Sequence, residues 1–408
     1  MIGAGEKCSN NDPSRQLVAR QSLASLADNF SAPYIGYYLA ALSGSGLLQG
    51  VLQFSVNSLP TLSQVLLGSL IDRLRRYILI LLATSITASV LWILVSLTLD
   101  PVTLVGLYTA RAVVVGISGL ALTAFIGAFY ASHHRSRVLS LITIASQITA
   151  LLAFAITAFV VSPTIDTLRI IFIVSGVISF IGSVIWLNLL YLDSCVKNLH
   201  STHNISFLKT FEIILKNKPF VKFDLAFTGY IFVMSFAWPY FAMAQRYLYR
   251  MSISDLAILN IIGTLSAMIS QYMLMRIIPR VDLKKLVILS RAGFVTPPLF
   301  YAISPNIEYI YISNVIIGPF QAISNVVISL YVLEISYKDL QASHLAFLNF
   351  SQGIAGAIGS LLGGVIMDRL ISVWGYDGLR IGFAISTILR GVMTIPFVKI
   401  DSVKKSYT

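Results

Sequence analysis

The sequence is poor in charged residues and in cysteine. Only 11% of its 408 residues are Asp, Glu, Lys or Arg, whereas soluble globular proteins average about 25%. So few ionic groups cannot cover a soluble surface, which excludes a soluble protein. The two cysteines, Cys8 and Cys195, lie far apart in polar segments. Their spacing excludes a disulfide framework and predicts no metal or thiol site. The polar N-terminus has no signal-peptide pattern.

Long apolar segments are abundant. Hydrophobic residues make up 56% of the chain, and the mean hydropathy is +0.81. A helix that crosses a bilayer needs about 20 mostly apolar residues. We therefore predict an all-α membrane protein with twelve transmembrane helices, at 19–43, 46–71, 77–98, 102–130, 138–162, 167–192, 221–246, 254–277, 286–304, 308–334, 341–367 and 379–398. The polar, basic stretch between the sixth and seventh helices has apolar residues at helical spacing, which predicts an interfacial helix.

The basic residues indicate the orientation of the chain. If the N-terminus and every second connection lie on one side of the membrane, most of the 29 Lys and Arg residues fall on that side. By the positive-inside rule, both termini are cytoplasmic in a multi-pass protein of the cell membrane. The net charge of +12 is then explained by orientation and by attraction to anionic lipids. No basic face remains that would bind nucleic acid.

The two halves of the chain resemble each other. The segment Asp166-x-Leu168-Arg169-Ile170-x-Phe172, which opens the sixth helix, recurs half a chain later as Asp377-x-Leu379-Arg380-Ile381-x-Phe383, which opens the twelfth. Weaker matches recur at a similar offset. This repeat predicts two six-helix bundles, 1–192 and 221–408, joined by a cytoplasmic loop at 193–220. Parallel repeats of this kind enclose a cavity near the middle of the membrane.

The loop after the second helix contains a spaced motif. Gly68, Asp72 and Arg73 stand in the pattern Gly-x-x-x-Asp-Arg, and Arg76 ends the loop. This pattern, with the helix count, the central loop and the half-repeat, resembles the major facilitator superfamily. The resemblance implies alternating access, with Gly68, Asp72, Arg73 and Arg76 as a conformational latch. It also implies a small-molecule solute, a monomer in membrane lipid, and a proton or ion gradient as the driving force without a cofactor.

Two charged residues are predicted at hydrocarbon depth. Asp28 lies well inside the first helix, and Arg111 lies inside the fourth. An ionised side chain at this depth costs at least about 2.5–3.5 kcal/mol, so it needs a water-filled cavity or a partner. The two could form a structural ion pair or a proton and substrate site. An acid in helix 1 and an arginine in helix 4 resemble the pair found in drug/proton antiporters of the superfamily.

Amide side chains mark a second candidate site. Asn314, Gln321 and Asn325 fall on one face of the tenth helix. In lipid these amides must turn inward, where they either line a cavity or join helices through hydrogen bonds. We predict that they line the solute cavity, because the resemblance implies that helices 1, 4, 7 and 10 surround the solute.

The sequence therefore predicts a secondary transporter, a permease rather than an enzyme. Export of small organic or drug-like compounds by proton antiport is slightly favoured, with uptake by symport or uniport as the alternative. No ATP-binding loop pattern is present, which argues against a primary pump. A membrane-embedded enzyme would need clustered acids or histidines, and a solute sensor would need a signalling domain. The sequence shows neither.

Overall fold

The computed structural model describes residues 12–63, 71, 74, 76–130, 132–159, 164–197, 207–337 and 340–402, and within them it contains helices and no strand. The helices are α1 Ser14–Ser31, α2 Ile35–Leu42, α3 Gly46–Asn57, α4 Tyr77–Leu97, α5 Pro101–Phe129, α6 Ser132–Phe159, α7 Ile165–Leu189, α8 Leu192–Lys197, α9 Phe207–Lys216, α10 Lys218–Phe236, α11 Trp238–Met243, α12 Ile253–Ile277, α13 Leu283–Gly293, α14 Thr296–Ile303, α15 Ile307–Ile335, α16 Gln341–Trp374 and α17 Gly378–Val392.

The chain forms two compact units. Unit 1 comprises Met1–Leu42 and Leu59–His203, and unit 2 comprises Ser43–Ser58 and Asn204–Thr408. Helix α3 thus belongs to unit 2, where it packs against α16. The division of the chain at 192 and 221 stays a prediction. The helices α8 and α9 lie in the connecting stretch for which an interfacial helix is predicted.

The outer surfaces of these helices are apolar. Within the described residues, nine helical segments are long and apolar enough to cross a membrane. Large hydrophobic side chains such as Phe159, Leu225 and Ile303 are exposed. Such a surface would aggregate in water but suits contact with lipid tails. The prediction of an all-α membrane protein is confirmed.

Prolines interrupt several predicted helices. The first breaks at Ala32–Tyr34, a 3-10 turn that contains Pro33, and the seventh breaks between α10 and α11 just before Pro239. The ninth divides into α13 and α14 ahead of Thr296-Pro297-Pro298. Proline lacks a backbone N–H and clashes with the preceding turn, so it ends or bends a helix. Each break leaves backbone carbonyls that need another donor.

The eleventh predicted helix is longer than expected. Its predicted end was residue 367, but α16 continues to Trp374 and stops at Gly375, whose φ of 60° favours glycine. Asp368 is therefore inside the helix and not at its end. Its carboxylate accepts hydrogen bonds from the backbone N–H groups of Gly46 and Leu47, and so caps the N-terminus of α3.

The half-repeat has one structural role in both units. In unit 1, Arg169 Nε donates to the Ser96 carbonyl at the end of α4, at 2.8 Å. In unit 2, Arg380 Nη1 donates to the Ser304 carbonyl just after α14, also at 2.8 Å. Carbonyls at a helix C-terminus have no partner within the helix, and a guanidinium both satisfies them and complements the helix dipole. The repeated arginine therefore joins two helices at the same point in each unit.

Replacing either repeated arginine is expected to destabilise the protein. Arg169→Gln and Arg380→Gln should each lower the free energy of unfolding by about 1.5–3 kcal/mol, the usual contribution of a charged hydrogen bond. Arg369→Gln, at an exposed position on α16, is the control and should change it little. Thermal unfolding in detergent measures the effect. Equal unfolding temperatures for all three variants would contradict this role.

Two arginines are buried in unit 2. Arg291 lies between the rings of Phe227 and Phe294, at 4.9 and 4.8 Å. Arg390 donates two hydrogen bonds of 2.8 Å to the carbonyls of Met234 and Phe294, which lie where α10 and α13 end. Aromatic faces stabilise the Arg291 cation, and carbonyls at two helix ends stabilise the Arg390 cation. The ends of the two interrupted helices beside Arg390 therefore explain how this cation is accommodated inside unit 2.

Candidate functional site

Asp28 and Arg111 form an ion pair inside unit 1. Asp28 stands on α1, one turn before that helix gives way to the 3-10 turn at Pro33. Arg111 Nη2 donates to Asp28 Oδ1. The Arg111 side chain is 6% exposed, whereas the Asp28 side chain is 41% exposed. The carboxylate is therefore accessible on one side, and the guanidinium is enclosed.

Aromatic side chains fix the position of the arginine. The Arg111 guanidinium lies 4.2 Å from the centre of the Trp92 ring, and Trp92 Nε1 donates to Asp28 Oδ1 at 3.4 Å. The Trp92 ring stacks on Phe172, with 5.4 Å between ring centres, and contacts Tyr108. A cation over an indole face gains about 0.5–2 kcal/mol. Trp92 thus contacts both members of the ion pair.

A second arginine, Arg20, lines the same cavity as this pair, and the sequence did not reveal its position there. Arg20 lies at the start of the predicted first helix, and its side chain is buried. It donates to Ser85 Oγ and to Gln21 Oε1, at 2.5 and 3.0 Å, and lies 5.2 Å from the centre of the Trp186 ring. The one available signal was its place on the same helix as Asp28, two turns earlier.

Arg20, Asp28 and Arg111 line one cavity of about 110 Å³. Hydroxyl groups from α4, α5 and α7 complete its polar wall, from Thr84, Ser85, Ser118 and Ser179. The cavity has room for several water molecules, since one water needs about 10–15 Å³ measured in this way. Polar donors and charged groups meet in this partly open cavity, which makes it the candidate binding site of unit 1.

The predicted amide stripe on α15 divides into two parts. Asn314 Nδ2 donates a hydrogen bond to the Ile310 carbonyl of its own helix, at 3.1 Å. Gly318, one helical turn after Asn314, packs tightly against Ser266 of α12. Gln321 and Asn325 are exposed. The amides therefore differ in their surroundings, and all of them belong to unit 2. Their role as cavity lining stays a prediction.

The predicted latch lies mostly outside the described residues. Gly68, Asp72 and Arg73 belong to the part that the structure leaves undescribed. Arg76 is described, and it is an exposed residue that immediately precedes α4. The first backbone N–H groups of α4, those of Ile78 and Leu79, donate to the carboxylate of Asp193, at 2.8 and 3.0 Å. Burial raises the pKa of the Asp193 carboxyl, while these two hydrogen bonds and nearby Arg76 oppose that change.

A further buried carboxylate occurs in unit 2. Asn217 is the N-cap of α10, through a hydrogen bond from Phe220 N. Asp224 instead accepts a hydrogen bond from Ser351 Oγ at 2.6 Å and is 7% exposed. The helix begins at Lys218, earlier than the predicted residue 221, so Asp224 lies in its body and not in its first turn.

Comparison with known proteins identifies the fold family. The Major Facilitator Superfamily model matches residues 20–359. A search of curated proteins finds no match. The nucleoside transporter NupG superimposes with a TM-score of 0.73 at 14% identity, covering 96% of this chain and 99% of that one. The xylose transporter XylE from E. coli, in an inward open conformation, gives 0.65 at 15% identity, with 97% of each chain covered.

A third solved structure has the same fold. A bacterial homologue of the human lysosomal transporter Spinster, in an inward-facing and occupied conformation, superimposes with a TM-score of 0.67 at 12% identity over 95% of this chain and 97% of that one. Sequence identities this low show a shared fold, but they do not show that this protein binds the same solute as these transporters. The family model, however, covers most of the chain. The protein is therefore a multi-pass membrane protein of the major facilitator superfamily, a family of transporters.

Proposed function

We propose that the protein is a secondary active transporter that moves a small organic solute by alternating access, and that Asp28 couples this movement to protons. The observation that carries the proposal is the Asp28–Arg111 ion pair in a polar cavity, with the carboxylate partly accessible and the guanidinium enclosed. An ionisable group at membrane depth next to a cavity is a functional site by default. No cofactor is required, because the gradient supplies the driving force.

Protonation of Asp28 changes the cavity in a way that can drive a conformational change. The ionised carboxylate neutralises Arg111, whereas the protonated acid leaves that guanidinium without a counter-charge. Breaking a buried ion pair is costly, so the two protonation states favour different arrangements of the helices around the pair. The latch predicted at Gly68, Asp72 and Arg73 would respond to that difference.

Two directions of transport are open to such a site. The sequence favours export of drug-like compounds by exchange with protons across the cell membrane. Uptake together with protons is the second candidate, and it is supported by the excess of arginine over carboxylate in the cavity. A monomer in lipid is sufficient for either direction, since the cavity is built within one unit of one chain.

Proteoliposomes that contain a pH-sensitive dye test the proposal. A pH gradient is imposed, and uridine, xylose, lactate and tetraphenylphosphonium are added in turn as the nucleoside, sugar, anion and cation. We expect at least one of them to cause a protein-dependent proton flux that a protonophore abolishes. Acidification or alkalinisation of the lumen then gives the direction. Solute flux that is indifferent to the protonophore would contradict proton coupling.

A further inference from the structure

The cavity in unit 1 carries an excess of positive charge. Two guanidinium groups, from Arg20 and Arg111, line it, but Asp28 is the one carboxylate among its lining residues. The other lining residues are neutral, and several carry hydroxyl groups. With all three groups ionised, the cavity has a net charge of +1, and with Asp28 protonated it has +2. A buried excess charge is unfavourable unless a counter-ion accompanies it.

The arginines retain donor capacity for such a counter-ion. Each guanidinium offers five N–H donors. Arg111 uses one nitrogen for Asp28, while its Nε is buried and has no hydrogen-bond partner within the described part of the chain. Arg20 bonds to the neutral groups of Gln21 and Ser85. Guanidinium forks match carboxylate and phosphate oxygens better than any other ligand group.

The size of the cavity limits what fits inside. Its volume of about 110 Å³ is smaller than the roughly 150 Å³ of an engineered cavity that binds benzene. A whole drug-like molecule is too large for it. A carboxylate or phosphate group, with a few atoms attached, fits.

We propose that this cavity binds the carboxylate or phosphate group of a small organic anion through Arg20 and Arg111. The part of this inference that concerns transport rests on the proposed function. Neutral Asp28 leaves both arginines uncompensated, so a proton and an anion each strengthen the binding of the other. Ligands that bind cooperatively occupy the same conformation and are carried in the same direction. The cavity charge thus favours symport of an anion with protons over export of organic cations.

Tryptophan fluorescence of the purified full-length protein tests the anion site, because Trp92 contacts both Asp28 and Arg111. Lactate and inorganic phosphate are titrated at constant ionic strength, and lactamide serves as the neutral counterpart of lactate. We expect a saturable change with lactate or phosphate, none with lactamide, and loss of the signal in Trp92→Phe. Saturation by lactate alone identifies the ligand group as a carboxylate, and saturation by phosphate alone identifies it as a phosphate.

Two variants with opposite expected effects on anion affinity make the test more specific. Arg20→Gln should weaken anion binding about 10- to 100-fold, the value of a charged hydrogen bond, while Arg20→Lys, which keeps the charge, should retain part of it. Asp28→Asn should tighten binding at least about threefold, because it removes the competing negative charge. Arg169→Gln removes an arginine outside the cavity and should leave the affinity unchanged. A merely structural role for Asp28 cannot produce tighter binding.

Several results would overturn the inference. These are equal binding of lactate and lactamide, no saturation by either anion, or an affinity that is the same in Arg20→Gln, Asp28→Asn and the unmodified protein. Anion binding without any proton-coupled flux would support the anion site and refute the proposed function. Proton-coupled flux of a neutral or cationic solute without anion binding would refute the anion site alone.

Discussion

Asp28→Asn is expected to abolish proton-driven solute accumulation while leaving solute exchange across the membrane. Asparagine has nearly the shape of aspartate but cannot take up a proton, so the proton gradient can no longer drive transport through this site. Counterflow, in which labelled solute exchanges for unlabelled solute at equal pH on both sides, needs no proton and should persist. The expected result is loss of accumulation to the level of empty vesicles with counterflow retained.

Asp224→Asn is the matched control for this experiment. Asp224 is also an aspartate within a helix, but it is buried in unit 2 against Ser351. Its replacement should leave accumulation at the level of the unmodified protein. If Asp224→Asn abolishes accumulation and Asp28→Asn does not, the proton site lies in unit 2 and the assignment of Asp28 is wrong.

A double variant separates coupling from stability. Asp28→Asn leaves Arg111 without its counter-ion, which should lower the free energy of unfolding by about 1–3 kcal/mol. This is less than the 3–5 kcal/mol of a fully buried pair, because the Asp28 side chain is 41% exposed. Adding Arg111→Gln removes the unpaired charge and should recover part of the unfolding temperature. Coupling should not return. Recovery of accumulation in the double variant would show that Asp28 acts through packing.

Gly364→Ala is expected to have the largest effect on folding. A Cβ atom built on Gly364 would lie 2.3 Å from the Gly46 carbonyl oxygen and 3.2 Å from the Gly50 Cα. These neighbours are backbone atoms of α3, so no side chain can rotate away. Helices α3 and α16 would have to separate, and the Asp368 cap on α3 would lengthen. We expect a loss of at least about 1–3 kcal/mol, the range for overpacking.

Gly391→Ala provides a control of opposite sign. Gly391 lies on α17, and a Cβ atom there would have nothing within 4 Å. Alanine is favoured over glycine in helices by about 0.8–1.0 kcal/mol, so this variant should be as stable as the unmodified protein or more so. Unfolding temperatures and the yield of monodisperse protein in detergent give the comparison. Equal behaviour of the two variants would mean that the α3–α16 contact has room to relax.

The sequence predicted the helices and the principal ion pair for clear physical reasons. Hydrophobic segments of membrane length have few alternatives to a helix. The cost of charge at hydrocarbon depth selected Asp28 and Arg111 without any knowledge of their contact. The repeated Arg169 and Arg380 were visible as a pattern, but their bonding to the ends of α4 and α14 needed coordinates.

The errors share one cause, which is that a sequence does not fix how far each helix turns about its axis or where it starts. Arg20 lies at the start of the predicted first helix, but the sequence does not show that its side chain lines the cavity. The helix α10 starts at Lys218 and not at the predicted residue 221, which places Asp224 in the body of the helix.

The bonding of Arg390 has a mechanical consequence. One side chain ties the carbonyl of Met234 to that of Phe294, and each carbonyl lies where a long helix is interrupted. The guanidinium is planar and its two nitrogens have a fixed separation. A change in the bend at one interruption must therefore either move the carbonyl at the other interruption or break one of the two Arg390 hydrogen bonds.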